Sequence, residues 1–233
     1  MSTKPILFNT DMVRAILDNR KTVTRRVVKL KYSNTHLEMF TNKYGTRLIE
    51  KQNEEPGVTT IRNPDGTTTH TLLACIEREP PYRPGDILYV RETFKIDYLS
   101  NIPGSGRIRY KADDTYADFT FKPDRYEMMR RAQLKPGWRP NENMPREVAR
   151  IFLLVTDVWA ERLQDITEEQ AIMEGIRIGM GGEPYFSCRD AFIPLWNSTI
   201  KPADRALYGW EANPWVWVIR FGGGVKNYNP ELE

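Results

Sequence analysis

The sequence contains few of the residues that bind metal ions. Its 233 residues include two cysteines, Cys75 and Cys188, and two histidines, His36 and His70. Neither cysteine belongs to a Cys-x-x-Cys pair or to a cysteine and histidine pair at ligand spacing. We therefore expect no metal site, and no cofactor is indicated.

Long apolar runs and a strong excess of one charge are also absent. No apolar stretch reaches the ~18 residues of a membrane-spanning helix, and the first ten residues, MSTKPILFNT, lack the basic and then apolar pattern of a signal peptide. The 34 basic and 31 acidic residues give a net charge of +3, which does not by itself indicate nucleic-acid binding. We expect a cytoplasmic protein that does not contact a membrane.

Local patterns predict the order of the main elements. A helix with Thr10 or Asp11 as N-cap ends near Asn19, and alternating β-branched residues at 22–28 predict a strand directly after it. Further strands are predicted at 87–94, 151–158 and 215–221, and a short helix is predicted at 189–196. Thr167 and Gln170 form a capping box that begins a helix, and Gly175 ends it.

The remaining segments are polar and rich in turn-forming residues. We interpret 31–81 and 95–145 as two long insertions, with an exposed hairpin around 63–66 and a short helix at 126–134. The glycine-rich segment 222–233 predicts a mobile tail. The chain is therefore interpreted as a single domain over 1–221 with two insertions, followed by that tail.

The element order and the string NRKTVTRR at 19–26 resemble the ASCH family of the PUA-like superfamily. The family signature after its first helix is Gly-x-Lys-x-x-Glu-x-Arg. Lys21 and Arg26 match it, whereas Asn19 replaces the glycine and Thr24 replaces the glutamate. Asparagine tolerates the positive φ that the glycine would adopt. The resemblance implies an α+β fold with a small mixed β-barrel of five to six strands and flanking helices.

In having Thr24 at the position of the family glutamate, the chain resembles a bacterial ASCH subgroup that hydrolyses 4-acetylcytidine. Its members have Lys-x-x-Thr at this position and a glutamate on a later capped helix. The segment TEEQAIME at 167–174 is similar to their Thr-Glu-x-x-Ala-x-x-Glu helix. This resemblance implies Lys21, Thr24 and Glu174 as catalytic residues. It covers about 5–30, 84–94, 148–176 and 213–221, and the whole chain is similar to larger ASCH proteins that bacteriophages encode, for which the compartment is the host cytoplasm.

These three residue types suit the hydrolysis of an amide. A threonine hydroxyl becomes a nucleophile when a neighbour takes its proton, and a buried lysine with a lowered pKa can do so. Glu174 then passes a proton to the departing amine or holds Lys21 in place. Alternatively, Lys21 stays charged and stabilises the oxyanion while Glu174 acts as the base. Taken singly, Lys21 is as readily a phosphate contact as a catalytic residue, whereas Thr24 is more often a strand residue and Glu174 a solvated helix end.

Five further residues are candidates for contacts with a substrate or a nucleic acid: Asn19, Arg20, Arg26, Arg91 and Glu92. Arg91 and Glu92 are equally well explained as a structural ion pair. The resemblance thus implies an amidohydrolase acting on an N4-acylated cytidine or a related modified nucleoside. The alternatives are a non-catalytic RNA or DNA reader of a modified base, a ribonuclease, and an assembly protein of a virus. The oligomeric state stays open.

Overall fold

The computed structural model describes residues 2–53, 59–62, 65–71, 75–100, 104–177 and 187–226. Within these ranges the strands are β1 Thr3–Leu7, β2 Val23–Val27, β3 Thr35–Asn42, β4 Gly45–Gln52, β5 Thr59–Arg62, β6 Thr68–Thr71, β7 Cys75–Glu77, β8 Ile87–Arg91, β9 Phe94–Leu99, β10 Ser105–Tyr110, β11 Tyr116–Thr120, β12 Ile151–Arg162 and β13 Trp215–Lys226. The α-helices are α1 Thr10–Leu17, α2 Pro123–Gln133, α3 Glu168–Met173, α4 Cys188–Thr199 and α5 Arg205–Tyr208. None of the helices in these ranges is long and apolar enough to cross a bilayer.

A five-stranded sheet in the order β1-β8-β12-β13-β2 forms the centre of the fold. β1 and β8 are parallel, and the other neighbouring pairs are antiparallel. Successive side chains of a strand point to opposite faces, and β13 shows the result. Trp217 and Ile219 pack with α1 on one face, whereas Val216 and Val218 pack with α3 and α4 on the other. The sheet therefore buries apolar residues on both faces.

This sheet is open, and the predicted barrel is not confirmed. β1 and β2 are its two edges, and no strand pairing in the described ranges joins them. One side-chain contact spans the two edge strands, since Arg26 Nη2 donates to the carbonyl oxygen of Leu7 at 2.8 Å. The coarser prediction, a mixed α+β fold, is confirmed.

The segments interpreted as insertions contain their own sheets. Residues 31–81 contain a three-stranded sheet, β3-β4-β7, and the predicted hairpin, whose arms are β5 and β6. Residues 95–145 contain most of a second three-stranded sheet, β11-β10-β9, against which α2 packs. The predicted turn residues Asn63 and Pro64 lie outside the described ranges.

Several element boundaries differ from the sequence prediction because tertiary partners decide them. The strand predicted at 87–94 is two strands, since β8 stays in the main sheet while Phe94 pairs with Tyr110 in another. β13 continues through Lys226, so the segment 222–226 pairs with β12 where a mobile tail was predicted. Residues 227–233 lie outside the description. α1 begins one or two residues earlier than predicted, because Asn9 is the N-cap in place of Thr10 or Asp11 and its side chain accepts a hydrogen bond from the backbone of Met12.

Candidate active-site cleft

The turn after α1 directs Lys21 into the interior. Asn19 has a φ of 57°, the left-handed conformation expected from the sequence. The backbone N–H groups of Arg20 and Lys21 both donate to the carbonyl oxygen of Ala15, at 2.8 and 3.0 Å. The chain consequently reverses at the helix end and enters β2 with the Lys21 side chain fully buried.

The capping box of α3 is confirmed, and this helix positions Glu174. Thr167 Oγ1 accepts from the backbone of Gln170 at 3.2 Å, and Gln170 Oε1 accepts from the backbone of Thr167 at 3.1 Å. At the other end, the Thr22 backbone donates to the carbonyl oxygen of Met173 at 2.8 Å. The end of α3 is thereby tied to the start of β2, and Glu174 forms a single antiparallel bridge with Lys21.

Gly175 permits the close approach of these two segments. Its φ of +94° is one that side-chain-bearing residues rarely adopt. A Cβ atom at this position would lie 2.7 Å from the Cβ of Ala15 and 3.2 Å from the Cβ of Lys21. The glycine predicted as a helix terminator therefore also makes room for α1 and Lys21.

Lys21 and Glu174 form a buried ion pair. Lys21 Nζ donates to Glu174 Oε2 at 2.5 Å and to the Glu174 carbonyl oxygen at 3.1 Å. The two side chains are 0% and 5% exposed. Burial lowers the pKa of Lys21 below its ordinary value, and the attraction of Glu174 opposes this shift only in part. The protein thus holds an amine that loses its proton more easily than a lysine in water.

Arg25 is a third ion-pair partner in this network, and the sequence analysis did not single it out. Its guanidinium donates to Glu174 Oε1 at 3.1 Å, to Glu161 Oε1 at 2.7 Å and to Gln170 Oε1 at 2.7 Å. Two cations and two carboxylates therefore compensate one another away from water. A sequence signal existed, because Arg25 alternates with Val23 and Val27 on one face of β2, where only a partnered charge is tolerated.

A small cleft opens beside this network. β2 is an edge strand. Thr24 and Arg25 point to opposite faces of β2, and because one edge of the strand is open, both side chains reach the rim of the cleft. The cleft has a volume of about 20 Å³, room for about one water molecule. Its lining residues are Met12, Thr24, Arg25, Arg26, Glu174, Phe192, Leu195, Trp196 and Thr199. Thr24 lines this cleft and is 2% exposed, and Lys21 Nζ donates to Glu174 rather than to the Thr24 hydroxyl.

The Phe8 ring contacts two basic side chains, Lys21, which lies beside the cleft, and Arg26, which lines it. Its ring centroid lies 5.6 Å from Lys21 Nζ and 5.3 Å from the Arg26 guanidinium carbon. Such contacts favour a cation over the ring face. Phe8 directly follows β1, and no sequence motif marks it as a functional residue. Only the fold therefore reveals its contacts with Lys21 and Arg26.

The other candidate binding residues lie outside the cleft lining. Asn19 is exposed in the turn, and Arg20 bonds to Asp18 and to the carbonyl oxygen of Gly175. Glu92 forms a two-pronged ion pair with Arg150 at 2.8 and 2.9 Å. Arg91 is half-buried, and its Nε has no partner in the described part of the chain.

No group of three or more histidine, cysteine, aspartate or glutamate side chains suited to a metal ion occurs in the described ranges. Comparisons with protein-family models, with curated proteins and with solved structures found no match to this chain.

Proposed function

We propose that this chain is an ASCH-type nucleobase-binding protein that hydrolyses the acyl amide of an N4-acylated cytidine or a related nucleoside. The observation that carries the proposal is the contact between Lys21 and Glu174 beside Thr24. These three residues are the ones that the resemblance implies, and 153 positions separate the lysine from the glutamate.

The burial of the Lys21 amine supports a covalent route with Thr24 as nucleophile. Thr24 Oγ1 attacks the acyl carbon, and the neutral amine of Lys21 takes the hydroxyl proton. The C–N bond then breaks, and the leaving N4 amine receives that proton from Lys21, which Glu174 holds in position. Water attacks the resulting threonine ester, releases the carboxylic acid and restores the hydroxyl. The lowered pKa of Lys21 favours the neutral amine that this route requires.

Binding of a nucleoside requires the cleft to widen. A volume of about 20 Å³ accommodates about one water molecule, whereas a nucleoside is many times larger. Four residues of α4 line the cleft, and of these Leu195 and Thr199 are more solvent-accessible than Phe192 and Trp196. Movement of α4 or of these side chains would admit the base next to Trp196 and Phe192, which offer apolar and aromatic surface.

The proposal is tested by incubating the purified chain with 4-acetylcytidine and measuring cytidine and acetate. Thr24→Val, Lys21→Met and Glu174→Gln are expected to abolish turnover. Glu50→Gln is the matched control, because Glu50 is also a fully buried carboxylate paired with an arginine, Arg78 at 2.5 Å, but it lies in the peripheral β3-β4-β7 sheet. Glu50→Gln is expected to lose stability and to retain turnover. Turnover that survives the three cleft substitutions refutes the assignment.

A non-catalytic reader of a modified base is the second candidate. The geometry of Thr24 favours it, because Lys21 Nζ is hydrogen-bonded to Glu174 and not to the Thr24 hydroxyl. In that function Arg26 and Lys21 supply positive charge, and the cleft holds the base without reaction. Salt-sensitive binding of an acetylcytidine-containing oligonucleotide with no release of acetate would favour the reader over the hydrolase.

A further inference from the structure

A second cavity lies at the edge of the β11-β10-β9 sheet, between β9 and the loop after α2. Its volume is about 220 Å³, and its lining residues are Lys95, Ile96, Asp97, Gln133, Lys135, Pro136, Gly137 and Arg139. It shares no lining residue with the cleft beside Lys21. A cavity of this size holds a ligand much larger than a water molecule.

The charge of this cavity is positive. Lys95, Lys135 and Arg139 contribute three cations, and Asp97 contributes the one carboxylate. That carboxylate accepts a hydrogen bond from Arg109 at 2.9 Å, while Lys95 Nζ lies 3.9 Å from it. Because Arg109 compensates Asp97, the three cations of the cavity are left with little negative charge among the lining residues.

Arg139 has an unused donor in a fixed position. Its backbone pairs with that of Phe94, at 2.7 and 3.2 Å, and its Nη2 donates to the carbonyl oxygens of Ala132 and Lys135. These contacts satisfy carbonyl groups at the end of α2, where the helix dipole would otherwise disfavour an anion. Arg139 Nε is buried and has no hydrogen-bond partner in the described ranges. A buried donor without a partner costs free energy, which a bound acceptor recovers.

We propose that this cavity binds a phosphate group, with Lys95, Lys135 and Arg139 as its donors. Arginine and lysine are the side chains that bind phosphate oxygens, and an anchored guanidinium loses little conformational freedom on binding. The phosphate belongs either to a small phosphorylated molecule or to a polynucleotide backbone. The site does not depend on the function proposed for the cleft.

The test uses isothermal titration calorimetry on the full chain with two probes, inorganic pyrophosphate and a single-stranded oligothymidine. Lys95→Gln with Lys135→Gln removes two cations without touching the contacts that anchor Arg139. Lys111→Gln is the matched control, since Lys111 is an exposed lysine that follows β10 and does not line the cavity. The double substitution is expected to weaken binding about tenfold or more and to reduce its salt dependence, while the control binds as the unsubstituted protein does.

Binding of pyrophosphate identifies a small phosphorylated ligand, and binding of oligothymidine alone identifies a polynucleotide backbone. Either result supports the site if the double substitution weakens that binding as expected. The proposal is overturned if neither probe binds, if the double substitution leaves the affinity unchanged, or if Lys111→Gln weakens binding equally.

Discussion

Lys21 Nζ and Glu174 Oε2 lie 2.5 Å apart, although 153 positions separate the two residues along the chain. The turn after α1 supplies the amine, and the end of α3 supplies the carboxylate. Arg25 holds the second oxygen of that carboxylate. Because all three charges are buried, each depends on the others for compensation.

Replacement of Glu174 by glutamine is expected to destabilise the protein by about 3 kcal/mol, because Lys21 and Arg25 lose the charge that compensates them. The change in unfolding free energy is measured by urea denaturation. Glu169→Gln is the control on the same helix, since Glu169 is exposed, and it should cost less than about 1 kcal/mol. Equal effects of the two substitutions would mean that the buried pair adds no stability.

Arg25 is expected to position Glu174. Arg25→Lys keeps the charge but cannot contact Glu161, Gln170 and Glu174 together, because an ammonium lacks the planar fork of a guanidinium. We expect a loss of about 3 kcal/mol of stability and a fall in kcat for 4-acetylcytidine with little change in KM. A change in KM alone would place Arg25 in substrate binding.

The proposed hydrolysis should become faster as the pH rises. Burial lowers the pKa of Lys21, so the neutral amine forms at a lower pH than in a free lysine, and kcat/KM rises as its proton is lost. Glu174 raises this pKa, so any residual activity of Glu174→Gln should rise at a still lower pH. A rate that falls as the pH rises would instead assign the charged Lys21 to the oxyanion.

Gly175→Ala is expected to disturb the cleft through a specific clash. The new Cβ would meet Ala15 and Lys21, and the φ of +94° adds backbone strain, for a total cost of about 2–4 kcal/mol. Gly85→Ala is the matched control, because Gly85 has a φ of +90° and no atom within 4 Å of its added Cβ. The difference in unfolding free energy between the two variants measures the clash alone; no difference would mean that α1 and α3 move apart freely.

Asp86 is expected to contribute to acid stability by holding β1. Burial opposes its ionisation, but hydrogen bonds from Lys4, Ser2 and the Arg83 backbone outweigh that effect and hold the pKa of Asp86 well below its ordinary range. Its contribution is present above about pH 4, the unfolded value, and is lost as the pH falls through the lowered one. Asp86→Asn should therefore be less stable at neutral pH, by a difference that shrinks in acid. The exposed Asp165→Asn is the control at neutral pH, where it should change the free energy of unfolding by less than about 0.5 kcal/mol.

Local elements of the fold were predictable because their causes lie a few positions apart. The Thr167 capping box, the left-handed Asn19 and the inward Phe192 and Trp196 of α4 follow from neighbouring residues. The open sheet was not predictable in the same way. The sheet closes into a barrel only if its edge strands β1 and β2 pair. That pairing depends on the curvature of the whole sheet, which no local sequence pattern predicts.

In the candidate site, too, some residues were identified from the sequence and others only from the structure. A resemblance drew attention to Lys21, Thr24 and Glu174, but the partner of Glu92 proved to be Arg150, and Arg25 was overlooked. An ion pair is set by which side chains the fold brings within reach, and these partners lie tens of residues or more apart in sequence.

The sequence alone determined the approximate positions of the main helices and strands, which of their faces are apolar and which residues carry titratable groups, since hydrogen-bonding and steric preferences act over a few residues. Only the tertiary structure decided that Lys21, Arg25 and Glu174 share one buried network and that Arg139 faces a cation-lined cavity. Burial and charge pairing arise between segments that the chain itself keeps far apart, and they exist only once those segments have packed together.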